Sequence, residues 1–203
     1  MRDLSILTFV TLDGVMQAPS MPEEDRSSGF IKGGWAAPYW EDVMEQVQKE
    51  AMAVPYDMLF GRKTYELFAG HWPEAEESPT ARMMNSARKY VVTSTLKDLT
   101  WNNSVAISGD IANAVSRLKN EDGPLLQIHG SWELIQTLLS HDLIDEFRLW
   151  TFPVTVGSGK RLFGQNSPSA QLSLVKSQAC KNGAIMSVYR RNTKEDQNRA
   201  LSE

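Results

Sequence analysis

The 203-residue chain has one cysteine, three histidines and no long hydrophobic run. A single thiol, Cys180, forms no intramolecular disulfide and no Cys-rich metal centre. His71, His129 and His141 are far apart and lack the helical spacing of paired metal ligands, so no metal is expected. No apolar stretch approaches the ~20 residues that span a bilayer. The opening Met1-Arg2-Asp3-Leu4-Ser5 has no signal-peptide layout, because Asp3 interrupts it. These features read as a cytoplasmic protein without a membrane partner. Positive charge is also scarce: 21 Lys+Arg against 25 Asp+Glu give a net charge of −4, so nucleic acid is not an expected partner. No G-x-G-x-x-G follows a strand and no G-x-S-x-G elbow occurs. Gly157-Ser158-Gly159-Lys160-Arg161 resembles part of a phosphate loop, but Val154 and Arg161 stand where the Walker pattern needs glycine and a hydroxyl residue.

What is present is an ordinary globular composition, 41% hydrophobic and 23% charged. Leu4 to Leu12 reads as a buried strand, stopped by Asp13-Gly14. Residues 13–38 suit neither helix nor strand. Loops this long are commonly functional, and the aromatics in and beside this one need somewhere to pack. A helix is predicted from Tyr39 to about Val54, with Pro38 in its first turn. A strand over Tyr56–Phe60 runs straight into a helix at Gly61-Arg62-Lys63-Thr64. Further helices are expected from Ser78-Pro79 to about Ala87, behind Asp110 as N-cap, and from Gly130-Ser131 to about Ser140. Strands are expected at Lys89–Ser94, Ser104–Ile107, Leu125–His129 and Ile144–Val156. Leu172–Ser177 and Ala184–Tyr189 form a closing hairpin around Asn182-Gly183. The alternation predicts one α/β domain over 1–191, with a mostly parallel sheet and an antiparallel C-terminal edge, followed by a polar tail over 192–203.

Two helix starts follow buried strands directly, at Gly61-Arg62-Lys63-Thr64 and at Gly130-Ser131-Trp132-Glu133. First-turn N–H groups lack intrahelical partners, and the helix dipole favours an anion there. Arg62 and Lys63 add charge, Thr64 adds a hydroxyl, and Gly130 lets a phosphate approach the backbone. Each alone is equally a plain helix start. Together, at the carboxyl ends of two parallel strands, they suit a ligand with several phosphates. Thr93-Ser94-Thr95 follows a third strand and offers hydroxyls to a sugar or a 2′-phosphate; the alternative is a capped turn.

Thr11-Leu12-Asp13-Gly14-Val15-Met16, Gly33-Gly34-Trp35-Ala36, Gly61-Arg62-Lys63-Thr64-Tyr65-Glu66, Tyr90-Val91-Val92-Thr93-Ser94, Gly130-Ser131 and Pro153-Val154-x-x-Gly157-x-Gly159-x-x-Leu162-Phe163 occur in this order. The set resembles the dihydrofolate-reductase-like family over roughly residues 3–190. More narrowly it is similar to stand-alone proteins of the type of the riboflavin-biosynthesis reductase domain. The resemblance implies a three-layer α/β/α fold with a twisted sheet of about eight strands, a cleft for NADPH, and a homodimer. It implies that Gly61, Arg62, Lys63 and Thr64 hold the adenosine-side phosphates and that Thr93 and Ser94 sit by the ribose and its 2′-phosphate. It further implies that Gly130, Ser131 and Trp132 meet the pyrophosphate, and that Phe9, Val10 and Met16 flank the nicotinamide.

The expected function is hydride transfer to a small heterocyclic or carbonyl substrate, with the cofactor supplying the hydride and the protein supplying orientation and a dry pocket. Loop 14–38 is the expected lid, hinged by its glycines, with Trp35, Tyr39 and Trp40 covering a flat substrate. The same aromatics also suit core or dimer packing. The carboxylate that dihydrofolate reductases carry near the start of the first helix has no clear counterpart. Glu41, Asp42 and Asp13 are the candidate proton sources, with Tyr39 or water as others. Two alternatives accompany this reading: a pyrimidine reductase of riboflavin synthesis, for which Arg26 and Lys32 are the lid bases available to a substrate phosphate, and a non-catalytic nucleotide-binding dimer.

Overall fold

A computed structural model describes residues 1–164 and 167–192 of the chain. The first strand, β1 (Leu4–Thr11), is followed by a long loop, then α1 (Trp40–Ala51), β2 (Tyr56–Gly61) and α2 (Arg62–Ala69). Next come α3 (Pro79–Ser86), β3 (Lys89–Val92), β4 (Ser104–Ile107), α4 (Ile111–Asn120), β5 (Leu125–Ile128) and α5 (Trp132–Ser140). The strands β6 (Glu146–Phe152), β7 (Leu172–Ala179) and β8 (Ile185–Arg191) complete the domain. Pro38 sits in a 3-10 turn, Ala37–Tyr39, that precedes α1 rather than in its first turn. Of the predicted tail, Asn192 is tied to the sheet edge: its N–H donates to Gln171 O at 3.0 Å, and its Oδ1 accepts from the Ser173 hydroxyl at 2.6 Å. Residues 193–203 lie outside the described residues.

The strands form one sheet in the order β4-β3-β2-β5-β1-β6-β8-β7. Pairings from β4 to β6 are parallel, and β8 runs antiparallel to both β6 and β7. This is the mostly parallel sheet with an antiparallel C-terminal edge that the alternation of elements predicts. Alternate residues of each strand serve opposite faces. Leu4, Ile6 and Val10 of β1 join Leu126 and Ile128 of β5 beneath α4 and α5, which contribute Val115, Leu118, Ile135 and Leu138. On the other face Leu7, Trp150 and Phe152 pack with Val43, Val47 and Ala51 of α1. Further along that side, Tyr56, Met58 and Phe60 of β2 pack with Tyr65 of α2 and Met84 of α3. The three-layer arrangement follows, and the C-terminal ends of β1, β2, β3 and β5 open into one cleft.

The segment from Asp13 to Ala36 is a fitted strap. Val15, Ala18, Phe30 and Trp35 are buried in the α1-side core. Gln17 holds the strap across its width: its Nε2 donates to Asp25 O at 3.1 Å and Ser27 O at 3.2 Å, and its Oε1 accepts from Lys160 N at 3.0 Å. Trp35 Nε1 donates to Gln17 O at 2.8 Å. The expected hinge glycine Gly33 has a packing role, since a Cβ there would lie 2.8 Å from both Met21 O and Pro22 O.

Candidate active site

The cleft has a volume of about 1910 Å³. That exceeds the ~300–1,000 Å³ of a pocket for one drug-sized ligand, so it has room for two molecules. At one end, β2 delivers Gly61 to the start of α2, and β5 delivers Gly130-Ser131 to the start of α5. Neither N-cap, Gly61 nor Ser131, makes a side-chain hydrogen bond to its helix. The two starts are joined by a 2.8 Å hydrogen bond between the hydroxyls of Thr64 and Ser131. They are so close that a Cβ on Gly61 would lie 2.3 Å from Ser131 Oγ. Ser131 is held at φ +80, a left-handed conformation that costs on the order of 1–3 kcal/mol in a non-glycine residue. Gly130 is at φ +147, and a Cβ there would lie in ordinary contact with the Thr64 side chain, 3.6 Å from its Oγ1, so it is the backbone conformation that favours glycine.

Most residues expected to bind a cofactor line this cleft: Phe9, Met16, Gly61, Arg62, Lys63, Thr64, Thr93, Ser94, Gly130, Ser131 and Trp132. Arg62 pairs with Glu66 at 2.9 Å on the exposed face of α2, a partnership a stronger anion can displace. Thr93 Oγ1 accepts from the N–H groups of Thr95 and Leu96 at 3.2 and 3.0 Å, so it closes its own turn while keeping its proton to donate. Trp132 donates its Nε1 to Arg161 O at 2.8 Å, clipping loop 157–161 to α5. Val10 does not reach the cleft. Its position on β1 turns it into the core under α5.

The candidate acids divide sharply. Asp13 lies outside the cleft. Its carboxylate accepts from Thr11 Oγ1 at 2.6 Å, Gly157 N at 2.7 Å and Val156 N at 3.2 Å. The Thr11 hydroxyl and these two N–H groups hold its pKa below the usual carboxylate value, against the opposing effect of burial. Asp13 is a clasp between two loops. Glu41 is exposed and does not line the cleft. Asp42 lies on α1, and its side chain is outside the described residues. Four acids that sequence reasoning did not name as proton sources line the cleft: Glu24 and Asp25 of the strap, Glu66 of α2 and Glu133 of α5. Burial pushes the Asp25 carboxyl up, but the Lys160 ammonium at 2.7 Å and Ser27 outweigh it and bring the pKa to about 2. Burial pushes the Glu24 carboxyl above its ordinary value despite the N–H groups of Ser20 and Met21, 2.8 and 3.3 Å from its Oε2. Burial in the strap thus makes the Glu24 carboxyl a better holder of its proton than an ordinary glutamate.

Of the three aromatics expected to cover a substrate, Trp40 lines the cleft, edge-on to Phe9 at 5.6 Å between ring centroids. Trp35 and Tyr39 do not; both stand edge-on to Phe152, at 5.5 and 5.6 Å, as packing residues. The other end of the cleft is formed by residues the sequence gave no reason to single out. Met44 and Gln48 of α1 and Met52 at its C-cap line it together with Tyr56, Thr80, Met84 and His129. The signal lies in α1: Trp40, Met44, Gln48 and Met52 recur every four residues beside the core stripe Val43, Val47 and Ala51, one position round the helix. His129 Nε2 lies 2.9 Å from Gln127 Nε2 and accepts from that amide. Burial, aided by the Arg148 guanidinium, pushes its pKa down to about 4, so the ring is neutral at pH 7. Among the described residues no three His, Cys, Asp or Glu side chains converge as a metal site, and no helix is long and apolar enough to cross a membrane.

A mostly parallel sheet opening at its strand ends onto two bare helix starts is the arrangement of a dihydrofolate-reductase-like fold. The chain belongs to the RibD C-terminal domain family, whose model matches residues 4–186. It is 31% identical over 139 residues to the uncharacterized protein YyaP of Bacillus subtilis (strain 168), covering 66% of this chain and 73% of that protein. Among solved structures it is similar to a pyrimidine reductase-like protein from Corynebacterium diphtheriae NCTC, with a TM-score of 0.64 and 10% identity over 95% of this chain and 93% of that one. It is also similar to the dihydrofolate reductase of Enterococcus faecalis complexed with NADP(H) and RAB-propyl, with a TM-score of 0.59 and 13% identity over 94% and 97% of the two chains. These relationships give the chain its family, the RibD C-terminal domain, and a fold shared with dihydrofolate reductase.

Proposed function

We propose that the protein is an NADPH-dependent oxidoreductase that reduces a small heterocyclic or carbonyl substrate. The observation that carries this reading is the pair of uncapped helix starts, α2 and α5, locked together by Thr64 and Ser131 at one end of a cleft large enough for two molecules. The residues present fit the cofactor. First-turn N–H groups of α2 and α5 are left without side-chain caps, Gly130 holds a backbone conformation that L side chains rarely adopt, and Arg62 and Lys63 are the cations beside them. Gly61, Arg62, Lys63 and Thr64 would hold the adenosine-side phosphates, Thr93 and Ser94 the ribose, and Gly130, Ser131 and Trp132 the pyrophosphate. Phe9 and Met16 would flank the nicotinamide. Bound there, NADPH supplies a hydride to the carbon of a C=O or C=N bond.

The chain's own residues do the rest. The strap excludes water, and its apolar anchors and the Gln17 bonds hold it over the cleft. The heteroatom of the reduced bond needs a proton, and we assign its supply to Glu24, the strap carboxyl whose pKa is raised by burial. The homodimer is part of the same proposal: β7 is an edge strand with Leu174 and Val175 exposed, a surface suited to a second copy.

Calorimetric titration of the cofactor-free protein with NADPH and NADH tests the reading. NADPH should bind at least tenfold more tightly than NADH, and binding of neither overturns the assignment. Glu24→Gln should leave NADPH affinity within twofold while slowing turnover by a factor on the order of 100 and flattening the rate's fall at high pH. An unchanged pH profile removes Glu24 from the proton path.

A further inference from the structure

The half of the cleft away from the helix starts has a chemical character of its own. Its walls are Met44 and Gln48 of α1, Met52 just beyond it, Tyr56 of β2, Thr80 and Met84 of α3 and His129 just beyond β5, with Phe68 of α2 beside His129, and none of these side chains carries a charge at pH 7. Five of the chain's nine methionines, Met16, Met21, Met44, Met52 and Met84, line the cleft, three of them in this chamber. Three of its polar groups are already engaged. The Tyr56 hydroxyl donates to Met84 Sδ at 3.2 Å, the Thr80 hydroxyl to Met52 Sδ at 3.6 Å, and His129 is bonded to Gln127. The basic residues of the cleft are all elsewhere. Arg62 and Lys63 belong to the start of α2, Lys160 is spent on Asp25, and Arg26 pairs with Glu23 outside the chamber. Lys32, the other lid base, donates to Val156 O at 2.7 Å and does not line the cleft.

We propose that this chamber takes an uncharged substrate with a flat or extended apolar body and selects against one carrying a phosphate. The inference rests on the reductase reading for calling the occupant a substrate. An anion placed between Met44, Met52 and Met84 loses its hydration and meets no lining cation, and Arg148, whose charge is felt at His129, is already paired with Glu146 and bonded to Glu50 O. A thioether wall adapts to different apolar shapes and packs well on aromatic rings, so the site tolerates variation in the body while rejecting charge. A phosphorylated pyrimidine, which needs a basic partner for its phosphate, is a poor match to this chamber.

The test uses two probes of one shape, 2-acetylnaphthalene and 6-acetyl-2-naphthyl phosphate, titrated into the full-length protein without cofactor. Quenching of tryptophan fluorescence reports binding, since Trp40 and Trp72 line the cleft. The ketone should bind at least tenfold more tightly than the phosphate. Gln48→Arg, which places a cation on the α1 wall with a residue that helices favour, should narrow that ratio at least tenfold. Equal or tighter binding of the phosphate by the unmodified protein overturns the proposal, as does a ratio unmoved by Gln48→Arg in a variant that melts cooperatively, or no binding of the ketone. Because no cofactor is present, failure of NADPH to bind in the calorimeter strikes the reductase reading and leaves the probe ratio to decide the chamber's preference.

Discussion

Helices α3 and α4 begin in one way, and α2 and α5 in another. Ser78 accepts from Ala81 N at 3.1 Å and Asp110 accepts from Asn113 N at 3.0 Å, so the first turns of α3 and α4 are closed by their own side chains. Gly61 and Ser131 make no such bond. A side-chain cap is worth about 1 kcal/mol to a helix, and α2 and α5 forgo it. The two bare caps line the cleft, whereas Ser78 and Asp110 do not. The contrast is between these two pairs: α1 also lacks a side-chain cap, but it continues directly from the 3-10 turn Ala37–Tyr39. At α2 and α5 the cap residue itself lines the cleft and leaves first-turn N–H groups without a side-chain partner.

The most damaging way to break this contrast is Gly61→Ala. The added methyl would overlap Ser131 and force the two starts apart, so a loss of about 2–4 kcal/mol in urea unfolding is expected together with loss of NADPH binding. Full retention of both would mean that the close approach is incidental. Lys63→Glu sharpens the contrast by giving α2 an acid in its first turn. Stability should hold or rise by about 0.5 kcal/mol through the helix dipole, while NADPH affinity falls at least tenfold. Parallel changes in the two quantities would contradict a functional role for the bare start. Arg62→Ala should weaken NADPH about tenfold and NADH less than twofold, because the charge-assisted bonds it supplies to a 2′-phosphate exist for one cofactor only. Equal losses would show that Arg62 does not read that phosphate. Smallest is the control. Ser78→Ala and Asp110→Ala should each cost about 1 kcal/mol in the same unfolding experiment and leave NADPH titrations unchanged.

The legible part of this molecule is that with strong local signals. Short β-rich runs ending in glycine or a hydroxyl residue placed β2, β3 and β5 and the helix starts behind them, and Asn182-Gly183 placed the final hairpin. Strand order was not legible, because which of several similar apolar runs lies beside which depends on contacts far apart in the chain. At the site, backbone-driven positions such as Gly61 and Gly130 could be read because the chemistry they offer is local. Residues of the strap could not. Trp35 and Asp13 carry the same letters as substrate-covering and proton-delivering residues, and only packing against Phe152 and loop 156–157 distinguishes them. Met44, Gln48 and Met52 were hidden for a different reason: a helix face turned to a cleft has nearly the pattern of one turned to a core.

The place of β1 in the sheet has a consequence for synthesis of the chain. Leu4–Thr11 is made well before its neighbours in the sheet, Leu125–Ile128 and Glu146–Phe152. During translation an almost wholly buried apolar strand must therefore wait, unpaired, until those later strands have left the ribosome. Docking it closes loops of more than a hundred residues, a slow search that leaves sticky backbone edges open meanwhile. The newborn protein should depend on a holding chaperone over that interval, and its demand should end when β6 emerges and the sheet can close on both sides of its first strand.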